Sequence, residues 1–274
     1  MKNILYSLFI ILCLVACTPQ DHLTILHTND THSQIEPKSN NTGGYARRMG
    51  LIAEERKADK NLLLVDAGDF CQGTPYFNFY HGRVEIDAMN RMGYDAATLG
   101  NHEFDNGVDT LAEVLKTAQF PFVCANYDVR GTALEGIIKP YVILHKGGLK
   151  VGVFGLGCDP HGLIAEKNFL PIQYLDPYPI AQAMADTLRE QGCDVVVCLS
   201  HMGTFGKASE DVCDSAMVSC TRGIDVVIGG HTHQLYDHLR VANRDGDSIP
   251  LCQMGKSGAN LGKIMLLLDD KSEK

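Results

Sequence analysis

Tryptophan is absent from this 274-residue chain, and aromatic residues make up only 7% of it, so large planar stacking surfaces are scarce. No CxxC pair occurs among the ten cysteines, which argues against a zinc ribbon or a thioredoxin-like redox site. Positive charge is also in deficit. Twenty-four Lys and Arg face 33 Asp and Glu, for a formal charge of -9. A nucleic-acid polymer selects basic surfaces and is excluded as a partner on that ground. A small phosphorylated molecule is not excluded, because bound metal ions supply positive charge that residue counts ignore. No internal repeat or low-complexity segment is present. Beyond the first twenty residues no apolar run is long enough to span a bilayer. The hydrophobic fraction, 45%, suffices for the core of one large domain or two small ones.

The first residues read as a targeting segment. Lys2 precedes a nearly all-apolar stretch, Ile4 to Ala16, too short to cross a membrane comfortably. It closes with Leu14-Val15-Ala16-Cys17 and then Thr18-Pro19-Gln20-Asp21. This resembles the bacterial lipobox, in which the cysteine becomes the lipidated first residue. The resemblance implies a signal peptide over 1–16, lipid on Cys17, a linker over 17–22 and an exported, membrane-anchored protein, periplasmic or at the cell surface. Thr18, in place of Asp, is similar to the outer-membrane-sorted type. Export permits disulfides, but the spacings do not require them. Cys193 and Cys198 flank a strand and are expected on opposite faces. Cys213 and Cys220 would lie about 10 Å apart along a helix, too far to bridge. Most cysteines are expected as small buried apolar residues.

After this segment, apolar runs of strand length alternate with helical stretches. Strands are expected at Leu23–His27, Leu62–Val65, Ala96–Leu99, Val195–Leu199 and Val226–Ile228, with Phe120–Ala125 extended. Tyr141–Leu144 and Lys150–Phe154 flank Gly147-Gly148, a hairpin signal. Helices are expected over Gly44–Lys60, Val84–Met92, Val108–Thr117 and Ile180–Gln191, and short strands over Leu239–Leu268. The pattern is α/β with a mixed sheet system.

Five polar motifs follow five of those strands: Asn29-Asp30-Thr31-His32, Gly68-Asp69-Phe70-Cys71-Gln72-Gly73, Gly100-Asn101-His102-Glu103-Phe104-Asp105, Ser200-His201-Met202-Gly203 and Gly229-Gly230-His231-Thr232-His233. Singly, each has an ordinary explanation: a helix cap, a tight turn, a surface histidine. Together they deliver Asp, Asn and His to the carboxyl ends of strands, where ligands gather in open α/β sheets. Two divalent cations about 3.5–4 Å apart need a bridging carboxylate, and Asp69 suits that role. Asp30 and His32 can reach one ion, Asn101 and His201 the second, and His231 and His233 can divide between them. Imidazole with carboxylate suits zinc, manganese or iron; calcium would take more oxygen.

This order of motifs resembles the metallophosphoesterase signature. The GNHEFD variant, Gly43-Gly44-Tyr45-Ala46-Arg47 upstream, Asp66 through Pro75, and Gly258 through Lys263 are similar to the 5'-nucleotidase family in particular, over about residues 23 to 268. The resemblance implies a sandwich of two mixed β-sheets flanked by helices, one catalytic domain over 23–268 and a tail over 269–274. It implies that Asp30, His32, Asp69 and His233 hold one metal and that Asp69, Asn101, His201 and His231 hold the other. His102, with Asp105 as its partner, would face the phosphoryl group and leaving oxygen, and Asn101 and His102 would touch substrate.

The implied activity is two-metal hydrolysis of phosphate esters, with nucleoside 5'-monophosphates as substrates. Nucleotide sugars and 2',3'-cyclic nucleotides are alternatives, as are a sulfur-ester hydrolase and a non-catalytic surface binding protein on the same scaffold. Full-length members of the family carry a C-terminal domain that grips the nucleobase. This sequence runs out at Lys274, so a separate polypeptide carrying that domain is expected as a partner.

Overall fold

The computed structural model describes residues 22–206 and 212–268. The expected signal peptide, the expected lipidation site Cys17, most of the expected linker and the expected 269–274 tail lie outside the described residues.

Two mixed sheets form the centre of the fold. The first has the spatial order Gly262–Leu267, His22–Thr28, Leu62–Asp66, Ala96–Ala97, Phe122–Val123, Ile138–Lys139. Its strands run parallel except Gly262–Leu267, which pairs antiparallel at one edge. The second runs Leu235–Tyr236, Ser248–Met254, Val226–Ile228, Val195–Ser200, Leu149–Leu156, Tyr141–Lys146, with Arg240–Ala242 also on Ser248–Met254. Its four central strands are parallel and its outer ones antiparallel. Tyr127–Asp128 and Gln173–Tyr174 make a small separate ladder.

The apolar runs explain the layering. Strand side chains alternate faces, so a run such as Leu62-Leu63-Leu64-Val65 must bury both. Leu63 and Val65 face the second sheet with Leu23 and Ile25, meeting Val151, Val153, Val195, Val197, Leu199, Val226 and Ile228. Leu26, Leu62 and Leu64 face outward onto Tyr45, Ile52, Ile86, Met89, Val108 and Leu111. Those residues belong to the helices Tyr45–Ala58, Arg83–Met92 and Val108–Leu115. On the far side, Phe154, Val196, Cys198 and Val227 pack against Ala181, Ala185, Leu188, Met217 and Val218 of the helices Pro177–Glu190 and Asp214–Cys220. Each Leu or Val buried from water in these layers contributes roughly 1.5–3 kcal/mol. The expected architecture, two mixed sheets with helices outside, is what the chain adopts.

Several local readings shift. The Pro177–Glu190 helix starts three residues before the expected Ile180. Pro177 opens it, where a missing N–H costs nothing, and Asp176 caps it by accepting from Tyr178 N. Of the expected Ala96–Leu99 strand, Ala96 and Ala97 form the strand proper; Thr98 N still donates to Asp66 O at 3.0 Å, and its hydroxyl donates to Val123 O at 2.7 Å. The hairpin is as expected, with Gly147 and Gly148 at φ 56° and 86°, a conformation that glycine adopts without strain. Cys193 and Cys198 do not face opposite sides. Cys193 sits in the turn before the strand begins, and both join one buried cluster. The eight cysteines among the described residues are all free, and all but Cys220 are buried.

Candidate metal centre and active site

The five motifs meet at one end of the sandwich. Asp30 and His32 follow the His22–Thr28 strand, Asp69 follows Leu62–Asp66, and Asn101 and His102 follow Ala96–Ala97. His201 follows Val195–Ser200, and His231 and His233 follow Val226–Ile228. Three motifs thus come from the first sheet and two from the second, so the site bridges them.

Asp30, His32, Asp69 and His233 bring one donor atom each to within 4.8 Å of one another. His233 Nε2 lies 3.3 Å from Asp30 Oδ1 and 3.0 Å from His32 Nε2. His32 Nε2 is 3.9 Å from both Asp30 Oδ1 and Asp69 Oδ2. On the other side of Asp69, His201 Nε2 is 3.1 Å from Asp69 Oδ2. Asn101 Oδ1 is 3.1 Å from His231 Nδ1, and the His201 and His231 rings meet edge-on at 5.4 Å. Asp69 Oδ2 thus lies near both His32 and His201, and His201 Nε2 is also 3.8 Å from Asp30 Oδ1. His102 lies at the rim with Nδ1 3.0 Å from Asp105 Oδ2, and its ring centroid is 5.3 Å from that of His32. The predicted metal ligands are thus brought together, with His102 beside them and Asp105 as its partner. Cys17, the predicted lipidation site, lies outside the described residues.

The donor set fits a pair of divalent ions. Asp30, Asp69 and His201 are buried, yet His201 Nε2 has no hydrogen-bond partner despite its closeness to Asp69. Its other nitrogen, Nδ1, is 2.6 Å from the Ala67 carbonyl, which leaves Nε2 bare toward the centre. At 3.1 Å, the Asp69 oxygen and the His201 nitrogen face each other as two ligands of one cation would. The backbone also makes room. A Cβ on Gly100 would lie 2.2 Å from Asp69 Oδ1 and 2.7 Å from His201 Nε2.

Strain is concentrated here. Asp30, His32, Asp69, His231 and His233 have φ of 48°, 47°, 56°, 73° and 57°, a region that non-glycine residues rarely adopt. Such residues persist only where the surroundings over-determine them, and they cluster at functional sites. The sequence carries no sign of this.

What over-determines them is a second set of residues to which sequence reasoning gave no role. Glu103 is buried and accepts the backbone N–H of Asp69 at 2.9 Å, Cys71 at 3.0 Å and Gly100 at 2.6 Å. Asn29 donates to Asp30 Oδ2 and to Gly255 O and accepts from Met254 N. Gln253 donates to Gly230 O at 2.8 Å and accepts from Gln234 N at 2.7 Å, holding the His231–His233 turn. Glu103 was visible as part of its motif; Asn29 neighbours a motif residue; Gln253 had no signal at all.

Burial and charge oppose each other across the site. Burial pushes His32 and His231 down to about 4, so both imidazoles are neutral at physiological pH, the form that binds metal. Burial also disfavours a charged His201, but the Asp69 and Asp30 carboxylates outweigh it and raise the ring to about 10. Burial would raise Asp69, but His201 wins and holds the carboxyl low, so it is ionised. His102 is raised above its ordinary value: burial works against the charged ring, and Asp105 more than offsets it. Glu103 is pushed up to about 7 by burial and by the Asp69 charge.

A two-sheet α/β sandwich with Asp, Asn and His gathered across both sheets at the strand ends is the design of a metal-dependent phosphoesterase. Residues 23–235 match the calcineurin-like phosphoesterase family, and the chain belongs to it. It is 34% identical to a snake venom 5'-nucleotidase of Naja atra, over 92% of this chain and 51% of that protein. Among solved structures it resembles a 5'-nucleotidase precursor from Thermus thermophilus, with a TM-score of 0.78 and 33% identity over 90% of this chain and 55% of that one. It also resembles the calcineurin-like phosphoesterase YfkN from Bacillus subtilis, with a TM-score of 0.77 and 31% identity over 93% of this chain and 87% of that one. The chain spans about half the length of the 5'-nucleotidases it matches.

Proposed function

We propose that this chain is a two-metal phosphohydrolase that converts nucleoside 5'-monophosphates to nucleosides and phosphate. The observation that carries the reading is the clustering of Asp30, His32, Asp69 and His233 donor atoms within 4.8 Å, with His201 Nε2 3.1 Å from Asp69 and the Asn101–His231 pair next to His201. In this reading those seven residues hold two divalent ions, zinc, manganese or similar, with Asp69 shared. Bound there, the ions supply Lewis acidity toward the phosphoryl oxygens and lower the pKa of water toward neutrality.

The chain's own residues do the rest. Asn101 and His102 contact the phosphoryl group from the rim. Asp105 fixes the His102 ring by accepting at Nδ1, which leaves Nε2 to donate a proton to the leaving oxygen. The 5'-nucleotidase names of its relatives support a nucleotide as the substrate.

The same reading takes residues 23–268 as one catalytic domain, with Cys17 as a lipid anchor to a membrane. A second polypeptide carrying a nucleotide-gripping domain would dock over the strand ends. Exposed apolar side chains beside the site support the docking: Leu163 and Phe205 line one hollow with His231 and Thr232. The experiment is a hydrolysis panel of AMP, UMP, a cyclic nucleotide and a simple aryl phosphate, with and without manganese or zinc. Metal-dependent phosphate release with weak base preference and high KM on the isolated chain is expected. Micromolar KM for one nucleotide would remove the partner, and no release from any ester would remove the enzyme reading in favour of a binding protein.

A further inference from the structure

Between the Leu149–Leu156 strand of the second sheet and the Pro177–Glu190 helix, the chain makes a long excursion over residues 157–175. Both ends of this loop are pinned to one residue, Asn126. The Asn126 side chain accepts from Gly157 N at 2.7 Å and donates to Gly157 O at 2.9 Å, and its backbone carbonyl accepts from Leu175 N at 2.9 Å. The Tyr127 hydroxyl adds a bond to Cys158 O at 2.6 Å, and Tyr127–Asp128 pairs with Gln173–Tyr174 of the loop. A loop closed at its neck in this way, and packed by its own side chains, holds a defined shape.

The loop reaches across to the first sheet. Its short helix, Glu166–Phe169, sets two consecutive side chains against the turn that carries His102 and Asp105. Buried Phe169 meets buried Phe104 edge-on, with ring centroids 5.0 Å apart. Beside it, half-buried Asn168 donates its side-chain N–H to the Asp105 carbonyl at 2.8 Å. The turn needs such support. It is a single 3₁₀ turn, His102–Phe104, followed by an Asp105 N to His102 O bond of 3.3 Å, which is long for a backbone hydrogen bond. The His102 and Asp105 side chains are 30% and 38% exposed, and an ion pair so open to water does little to fix its own geometry. At the front of the turn, His102 N is held by Asp69 Oδ1 at 2.9 Å. At the back, the Asp105 backbone is held by Asn168.

We propose that Asn168 is a positioning residue for phosphoester cleavage: by gripping the Asp105 backbone it sets the direction in which His102 presents Nε2 to the leaving oxygen. The inference rests on the reading of His102 as the general acid. The loop springs from the second sheet and the turn from the first, so the grip also fixes His102 relative to His201 and His231 on the opposite sheet. Proton transfer depends steeply on such placement, and a misplacement of about 1 Å costs up to about 10²-fold in rate. Binding of the substrate itself does not depend on the aim of the acid, so the effect belongs in kcat.

The test is steady-state kinetics of the metal-loaded full chain on two esters. AMP has a leaving alkoxide that needs a proton; nitrophenyl phosphate has a leaving phenolate that does not. The variants are Asn168→Ala, His102→Asn and the two combined. For Asn168→Ala, kcat on AMP should fall about tenfold, with KM, metal content and kcat on nitrophenyl phosphate unchanged. In the His102→Asn background, Asn168→Ala should cost nothing more, because no acid is left to aim. An equal loss on both esters would make Asn168 a structural support only and overturn the proposal. So would the absence of any loss, or a further loss on top of His102→Asn. A His102→Asn variant that loses the same on both esters would instead remove the general-acid reading, and this proposal with it.

Discussion

The Glu103 carboxylate holds the backbone N–H of Asp69 at 2.9 Å, so a buried acid two residues after Asn101 fixes the residue on which both donor groups converge. The same carboxylate takes the N–H of Gly100 and of Cys71, tying two loops from neighbouring strands into one unit. Glutamine at this position offers one acceptor oxygen and turns an N–H₂ toward a backbone N–H. Glu103→Gln is therefore expected to weaken metal binding by about 10–100-fold, the scale seen when partners behind metal ligands are lost. Metal titration by calorimetry checks this, and native affinity in the variant would mean the clamp is dispensable.

Ligands and the dyad should separate under mutation. Asp69→Asn removes the charge of the shared carboxylate and should abolish metal content and activity together. His102→Asn should keep both metals and lose about 10²–10⁴ in turnover, the range for a general acid. Elemental analysis beside kcat distinguishes the two. Loss of metal from His102→Asn would put His102 among the ligands.

If His102 is the general acid proposed above, Asp105 helps set the pH range over which it acts. Burial opposes the charged ring, and the Asp105 hydrogen bond together with the Asp69, Asp105 and Glu103 charges outweighs it, raising the pKa. A general acid must be protonated, so activity falls as pH rises through that value. Asp105→Asn takes away the favourable partner, lowers the His102 pKa and should move the alkaline limb of the kcat profile to lower pH. The shift should shrink with a good leaving group such as a nitrophenolate, which needs no proton. A limb that stays where it was would assign it to another group.

Gly100 is required for space. A methyl group there would stand 2.2 Å from Asp69 Oδ1. Gly100→Ala should fold normally by circular dichroism, since its backbone angles suit any residue, and yet lose metal. Retained metal would show that the Asp69 and Asn101 loops can part without harm.

At the other end of the chain, Cys17→Ala should release the protein from the membrane fraction or stall its processing. Unchanged attachment with no lipid on Cys17 by mass spectrometry would remove the anchor.

The layers and the site were legible for one reason: both depend on short-range patterns. Continuous apolar runs announce strands buried on two faces, and Asp, Asn and His placed after them announce a shared edge. What was hidden depends on contacts across the chain. Gln253 braces a turn around His231 through side-chain bonds that no spacing encodes. Thr98 ties its hydroxyl to Val123 O, a partner 25 residues away that no local pattern announces. The left-handed backbone at Asp30, His32, Asp69, His231 and His233 is imposed by neighbours on other strands, against the local preference of those residues.

The distribution of the site over both sheets has a consequence for how the molecule comes together. His32 and His233 are 201 positions apart, and His233 also meets Asp30. In the proposed assignment neither half of the sequence holds a complete donor set for either ion, so tight metal capture would wait until the sheets have docked. Captured ions then act as a clasp across a long loop, and the entropy of closing a loop grows with its length. Chelation should loosen the seam between the halves before either sheet melts, and the first amides to exchange should be those flanking His32 and His233.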